Sequence, residues 1–258
     1  MEDNNLHDIV SASLPDETLR RIFLSKPLPA ELVLDLKAVL KTIKVPMAVR
    51  SSSMLEDSHY QPFAGVYETC MVQNIGSDEQ RLKSLSEAII CVYASTFYNK
   101  SKEYLRATNH MVEEERMAVI LQQVIGSKYD DYWYPNFSGV ARSLNFYPIG
   151  TEKAEDGVGM LCFGFGKMIV DSGIAFRFSP SFPKRNLQFL GGKESSSQDT
   201  FYAVDMTKKF HPHGNPENLV ELPLSVAEKD PLALRHIAST YDENLGTFTD
   251  QLSAKGKK

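Results

Sequence analysis

Cysteine is scarce. Cys70, Cys91 and Cys162 are the only three in 258 residues, and no two stand in CxxC spacing. An odd number of scattered cysteines, in a chain without a secretion signal, fits reduced thiols and a cytoplasmic location. No apolar run approaches the roughly 20 residues that cross a bilayer, so no membrane-spanning helix is expected. The first residues, MEDNNLHDIV, are acidic and have no signal-peptide profile. Excess positive charge is missing too. The net charge is −5, which gives no general affinity for nucleic acid or an anionic membrane. Neither a Walker nor a Rossmann glycine pattern occurs, and there is no internal repeat or low-complexity segment. Asn99-Lys-Ser and Asn136-Phe-Ser match the glycosylation pattern, but a cytoplasmic chain does not use it. His211 and His213 stand two apart without a third ligand, a weak metal signal that reads better as a surface turn.

What is present supports a packed core, with 42% hydrophobic and 24% charged residues. Residues 1–43 look helical. Pro15 can open a helix carrying Leu19, Ile22 and Phe23, which Pro27 and Pro29 break. Leu32, Leu36, Val39, Leu40 and Ile43 then recur at helical steps. Ser77 and Gln80 form a capping box before Leu82, Leu85, Ile89 and Val92. Residues 117–124 read as a buried strand. The aromatic stretch 129–137, with Trp133, reads as a loop covering an apolar edge. Further strands are expected over 139–146, 157–163 and 200–206, and a last helix over 231–241. The polar loop 191–199 looks like an insertion.

The stretch 45–69 organises the chain. An apolar strand over 45–49 ends at Arg50, with Ser51, Ser52 and Ser53 behind it. Glu56 and Asp57 follow, then Ala64 and Gly65. Arginine is a planar, permanently charged fork suited to bidentate phosphate contact. Serine hydroxyls and the backbone at a glycine add donors around an anion. The pattern predicts a strand ending in a phosphate-facing loop; a solvated turn satisfies the same spacing. Gly164-Phe165-Gly166-Lys167 offers a second strand, glycine turn and helix, with Lys167 either a phosphate cation or a solvated turn residue.

Taken together, the string AVRSS…ED…FAG…ET over 48–69, YASTF at 93–97, AVILQQV at 118–124, FSGVARS at 137–143 and GFGKMIVDSG at 164–173 resembles the nucleotide-binding domain of phosphoenolpyruvate synthase and pyruvate phosphate dikinase. The resemblance covers about residues 40–210. It implies an α+β fold: a partial ATP-grasp-like domain with mixed and antiparallel sheets and packed helices. The implied division is an N-terminal helical segment 1–44, an incomplete nucleotide-binding domain 45–210, and a C-terminal helical segment and tail 211–258.

The resemblance also implies chemistry. ATP is the expected ligand, with Arg50 holding phosphate as the catalytic residue. Ser51 and Ser52 assist, Ala64 and Gly65 cover the phosphate, Gln122 and Val124 frame adenine, and Lys167 adds a cation. An ordinary core strand accounts for Gln122 and Val124 equally well. Dikinases usually carry glutamate where Lys167 stands, and Arg142 is a second departure, with Glu68 or phosphate as its alternative partners. The family's glycine-rich lysine strand, its magnesium-ligand strands, its swivelling histidine domain and its pyruvate barrel have no counterpart here. The expectation is therefore part of a longer phosphotransferase. ATP would phosphorylate a histidine on another domain, which passes the phosphate to pyruvate, with Mg2+ held outside this chain. This part alone is expected to be inactive. The alternative is a catalytically silent nucleotide-sensing module.

Overall fold

A computed structural model gives the fold and describes residues 6, 9, 10, 12, 14–53, 65–107, 116–171, 175–183, 198–234, 240–242 and 247–249. Glu56, Asp57, Ala64 and most of the 191–199 loop lie outside them. The architecture is α+β, with antiparallel sheets and packed helices. The chain divides into two compact units. One comprises Met1–Val124 with Val204–Leu219, the other Ile125–Ala203 with Val220–Lys258.

In the first unit, helix α1 (Asp16–Leu24) starts directly after Pro15, and α2 (Ala30–Thr42) directly after Pro29. Proline suits this place because it has no N–H to leave unbonded. Strands β1 (Met47–Ser53), β2 (Thr69–Val72) and β3 (Met117–Gln123) form one sheet in the order β2-β1-β3, antiparallel throughout. Helix α3 (Asp78–Ser95) opens on the expected capping box of Ser77 and Gln80, and α4 (Asn99–Ala107) follows it. The core joins Met47, Val49, Cys70 and Val72 to Leu36, Leu40, Leu85, Ala88, Ile89 and Val92. Because strand side chains alternate, the opposite face of the sheet is left to carry Ala48, Arg50, Ser52, Ala118, Ile120 and Gln122.

Two expectations are corrected here. The strand does not end at Arg50. β1 continues through Ser53, because β3 pairs with all seven of its residues, down to Ser53↔Met117. The serines are carried by the ladder rather than by their own propensity. Nor is β3 buried on both faces. Val119 and Leu121 pack on the core, while Ile120 is 47% exposed.

In the second unit, β4 (Ser127–Tyr129) and β5 (Tyr132–Tyr134) form a hairpin, so the aromatic stretch is strand and not loop. Asp130 takes a φ of 49° in its turn, a conformation aspartate tolerates better than most residues. Tyr134 is core, with Tyr129 and Tyr132 packed against it, while Phe137 is exposed. Tyr134 packs edge-on against Phe163 and Phe201 at 5.5 and 4.9 Å. The four-stranded sheet runs β10-β9-β5-β4, with β9 Thr200–Asp205 and β10 Leu219–Pro223. A second sheet pairs β6 (Ser138–Arg142), β7 (Val158–Cys162) and β8 (Phe176–Phe178). β6 stops at Arg142, short of the expected 146. Helix α5 is Lys167–Asp171 and α6 is Pro231–Leu234. The helix expected over 231–241 is corrected. Thr240–Asp242 (β11) pairs antiparallel with Thr247–Thr249 (β12), where threonine and aromatic residues favour strand over helix.

Residues 144–156 of this unit are pinned by a buried ion pair. Arg177 Nη2 donates to Glu152 Oε2 at 2.6 Å, and the Glu152 side chain is 4% exposed. Glu152 also accepts from Asn145 Nδ2 and the Ile149 N–H. The Arg177 hydrogen bond holds the Glu152 carboxyl below its ordinary 4.5, against the opposing effect of burial. A depressed folded pKa means stability present at neutral pH and lost as pH falls below the ordinary glutamate range. Glu152→Gln is expected to lower stability at neutral pH by about 1 kcal/mol and to flatten the acid limb of a melting-temperature profile. An unchanged acid limb would remove Glu152 from that account.

Candidate functional site

Arg50 stands mid-strand on β1, on the face turned from the helices. Its registered neighbours are Thr69 on β2 and Ile120 on β3. Residues directly opposite in an antiparallel ladder share a face. One step along, Met71, Ala48 and Gln122 are aligned, and on the other side Ser52 is opposite Ala118. Arg50 Nη1 donates to Gln122 Oε1 at 3.3 Å. The sheet thus brings Arg50, Ser52 and Gln122 to one face, with Ile120 as an exposed apolar neighbour. Ser51 alternates to the core-facing side.

The arginine does not meet an acidic partner among the described residues. Glu68, which precedes the β2 partner of Arg50, is taken by Arg20 of α1, whose Nη2 donates to Glu68 Oε1. Arg142 is an exposed residue at the end of β6, and its registered partner is Val158. Arg20 donates further to the Tyr98 hydroxyl at 2.8 Å and to the Pro212 carbonyl at 3.0 Å. Burial pushes the Glu68 carboxyl up from its ordinary range, against the lowering pull of Arg20. Burial likewise raises the Cys70 and Cys91 thiols, which makes them inert core residues rather than nucleophiles.

Gly65 has a φ of 73°, and a Cβ there meets nothing within 4 Å. The space is open, but the left-handed backbone itself favours glycine. Lys100 Nζ donates to the Gly65 carbonyl at 2.8 Å, tying the turn to the start of α4. Sequence reading did not single out Lys100. Its only signal was a position at the head of a polar helix, where lysine usually faces solvent.

Val124 follows β3. It is 7% exposed, and its N–H donates to the Pro46 carbonyl at 2.9 Å. In the second unit, Gly164 has a φ of 74°, and a Cβ there would stand 2.8 Å from the Tyr202 carbonyl. Lys167 follows at the first position of α5, with Nζ 5.8 Å from the Tyr202 ring centroid. The five-residue helix behind it is too short to build much of a dipole. Any affinity of Lys167 for an anion must therefore come from its own charge.

A family profile described as the pyruvate phosphate dikinase AMP/ATP-binding domain matches residues 1–251. The chain belongs to this family. The match spans both compact units and includes the open face of the β2-β1-β3 sheet. Among curated proteins, an uncharacterized phosphotransferase, YvkC, of Bacillus subtilis (strain 168) is 30% identical over 128 residues, covering 50% of this chain and 13% of that relative. As a member of an AMP/ATP-binding family, the chain is a nucleotide-binding domain. No helix among the described residues is long and apolar enough to cross a membrane. Magnesium, the companion that the resemblance implies for ATP, finds no group of three or more His, Cys, Asp and Glu among the described residues.

Proposed function

We propose that the open face of the β2-β1-β3 sheet binds the phosphates of ATP, as part of an ATP-dependent phosphotransferase of the dikinase type. The observation that carries this is the exposed Arg50, fixed mid-strand on a packed sheet and hydrogen-bonded to an amide rather than a carboxylate. A guanidinium on a rigid element keeps a defined orientation, and its charge stays available to an anion. Ser52 adds a hydroxyl on the same face, and the Gly65 turn adds a backbone that a ligand can approach closely. Ile120 presents apolar surface for the base, and Val124 follows the strand that carries it. ATP supplies the γ-phosphoryl group. The residues here bind and orient it, which is the main part of what proteins do in such transfers. In the intact protein the acceptor is a histidine on another domain, and pyruvate receives the phosphate from it.

Calorimetric titration of ATP, with inorganic tripolyphosphate as competitor, tests this reading. Saturable binding that tripolyphosphate displaces is expected. No binding at millimolar ATP would overturn it. Lys167 is proposed as an accessory phosphate cation. Lys167→Ala is then expected to weaken ATP binding by about 1 kcal/mol, and Lys167→Glu by more, through repulsion. Equal affinity of all three versions would leave Lys167 a structural residue beside Tyr202.

A further inference from the structure

We infer that Gln122 is a positioning residue, which orients Arg50 for phosphate without neutralising it; the inference rests on the phosphate-binding reading above. Three other arginines are engaged differently. Arg20 pairs with Glu68, Arg81 with Asp78 at 2.9 Å, and Arg177 with Glu152 at 2.6 Å. Arg81 is also saturated by Asn74 Oδ1 and the Leu40 and Ile43 carbonyls. Those arginines hold structure together, and their charge is spent on a neighbour. Arg50 instead has a neutral amide at 3.3 Å.

The geometry follows from register. Ile120 is directly opposite Arg50 and Gln122 is opposite Ala48, so Gln122 is the diagonal neighbour of Arg50 on the same face. Cross-strand diagonals lie about 7–8 Å apart at the backbone, within reach of two long side chains. Gln123, the next residue, alternates to the other face and cannot substitute. Guanidinium is only a donor, so the amide must turn its oxygen toward it. One acceptor occupies one of the five N–H groups and leaves the rest of the fork open. A carboxylate at the same place would attract Arg50 more strongly and would compete with phosphate for it. The side-chain amide thus restricts the arginine rotamer, at no cost in charge. This differs from contact with the adenine ring, the role that the resemblance implies for Gln122.

The test uses the whole chain in wild-type form and as Gln122→Ala, Gln122→Glu, Arg50→Met and Arg50→Met/Gln122→Ala. Each is titrated with ATP, inorganic tripolyphosphate and adenosine. Gln122→Ala is expected to lose about three- to tenfold in affinity for ATP and tripolyphosphate and nothing for adenosine. Gln122→Glu is expected to lose more than Gln122→Ala. In the Arg50→Met background the alanine change is expected to have no further effect. A loss that extends to adenosine, or that persists undiminished without Arg50, would show that Gln122 touches nucleotide itself and would overturn the inference while leaving the phosphate face standing. Unchanged ATP affinity in Arg50→Met would sink the phosphate face and the inference with it. A ligand-free readout separates the two further. The Arg50 side-chain nitrogen resonances are expected to shift and broaden in Gln122→Ala, and identical spectra would exclude the positioning role.

Discussion

Exchanging Arg50 for lysine is expected to weaken ATP binding by about ten- to a hundredfold while leaving the melting temperature nearly unchanged. The size follows from losing one or two charge-assisted hydrogen bonds, about 1.5–3 kcal/mol, at about 1.4 kcal/mol per tenfold. Lysine keeps the charge but not the planar fork, so the bidentate geometry is lost although the substitution looks mild. Stability should hold because Arg50 is exposed and its hydrogen bond to Gln122 is between two exposed side chains. The β1 ladder, which is backbone, is untouched. Calorimetry and thermal melting of the same sample check both halves. Unfolding of Arg50→Lys would make the residue structural. Wild-type affinity would remove phosphate from the open face.

Arg20→Met is expected to cost about 3–5 kcal/mol of folding stability, the usual scale for breaking a buried ion pair from one side. Arg20 and Glu68 side chains are 11% and 17% exposed. Arg20 also donates to Tyr98 and to the Pro212 carbonyl, and its guanidinium lies 5.5 Å from the Tyr98 ring centroid. Without it, Glu68 keeps only a buried carboxylate, whose Oε2 already has no hydrogen-bond partner among the described residues. The folded pKa of Glu68 is raised by burial. A raised folded pKa gives stability that is present at low pH and lost as pH rises through it. The defect of Arg20→Met should therefore deepen as pH rises above the ordinary glutamate range, and Glu68→Gln in the same chain should recover part of it. Urea denaturation from that range upward is the measurement. A loss under about 1 kcal/mol, the scale of a surface pair, or one independent of pH would contradict the assignment. The contact also bears on the site, because Glu68 precedes Thr69, the β2 partner of Arg50.

The helices of the first unit were legible because proline, helical spacing and a capping box all point the same way at Pro15, Pro29 and Ser77. The family was legible because several short motifs kept their order. Three local features were not. Ser51–Ser53 look like a turn by composition, and only the pairing offered by Met117, Ala118 and Val119 makes them strand. The aromatic run around Trp133 carries no alternation that marks a hairpin, and its φ of 49° at Asp130 is invisible in composition. Residues 231–241 begin with a good helix start at Pro231, but Thr240 and Tyr241 belong to a strand whose partner lies further along. For the site, sequence supplied Arg50 and its neighbours but not their partners. Glu56, Asp57 and Glu68 follow Arg50 in sequence and offer it carboxylates. Register across the sheet gave Arg50 an amide instead, and a helix outside the motif claimed Glu68. Such long-range choices have no local trace.

Backbone amide spectra recorded during an ATP titration test the central claim most directly. Binding at the open face predicts that the signals of Arg50, Ser52, Gly65, Ile120 and Gln122 move together and saturate at one affinity, while those of core-facing Val49 and Leu121 move less. Tripolyphosphate should reproduce the shifts around Arg50 and Gly65 but spare Ile120, which is assigned to the base. Shifts that saturate elsewhere in the chain and leave Arg50, Ser52 and Gln122 unmoved would contradict the assignment of this face to the nucleotide.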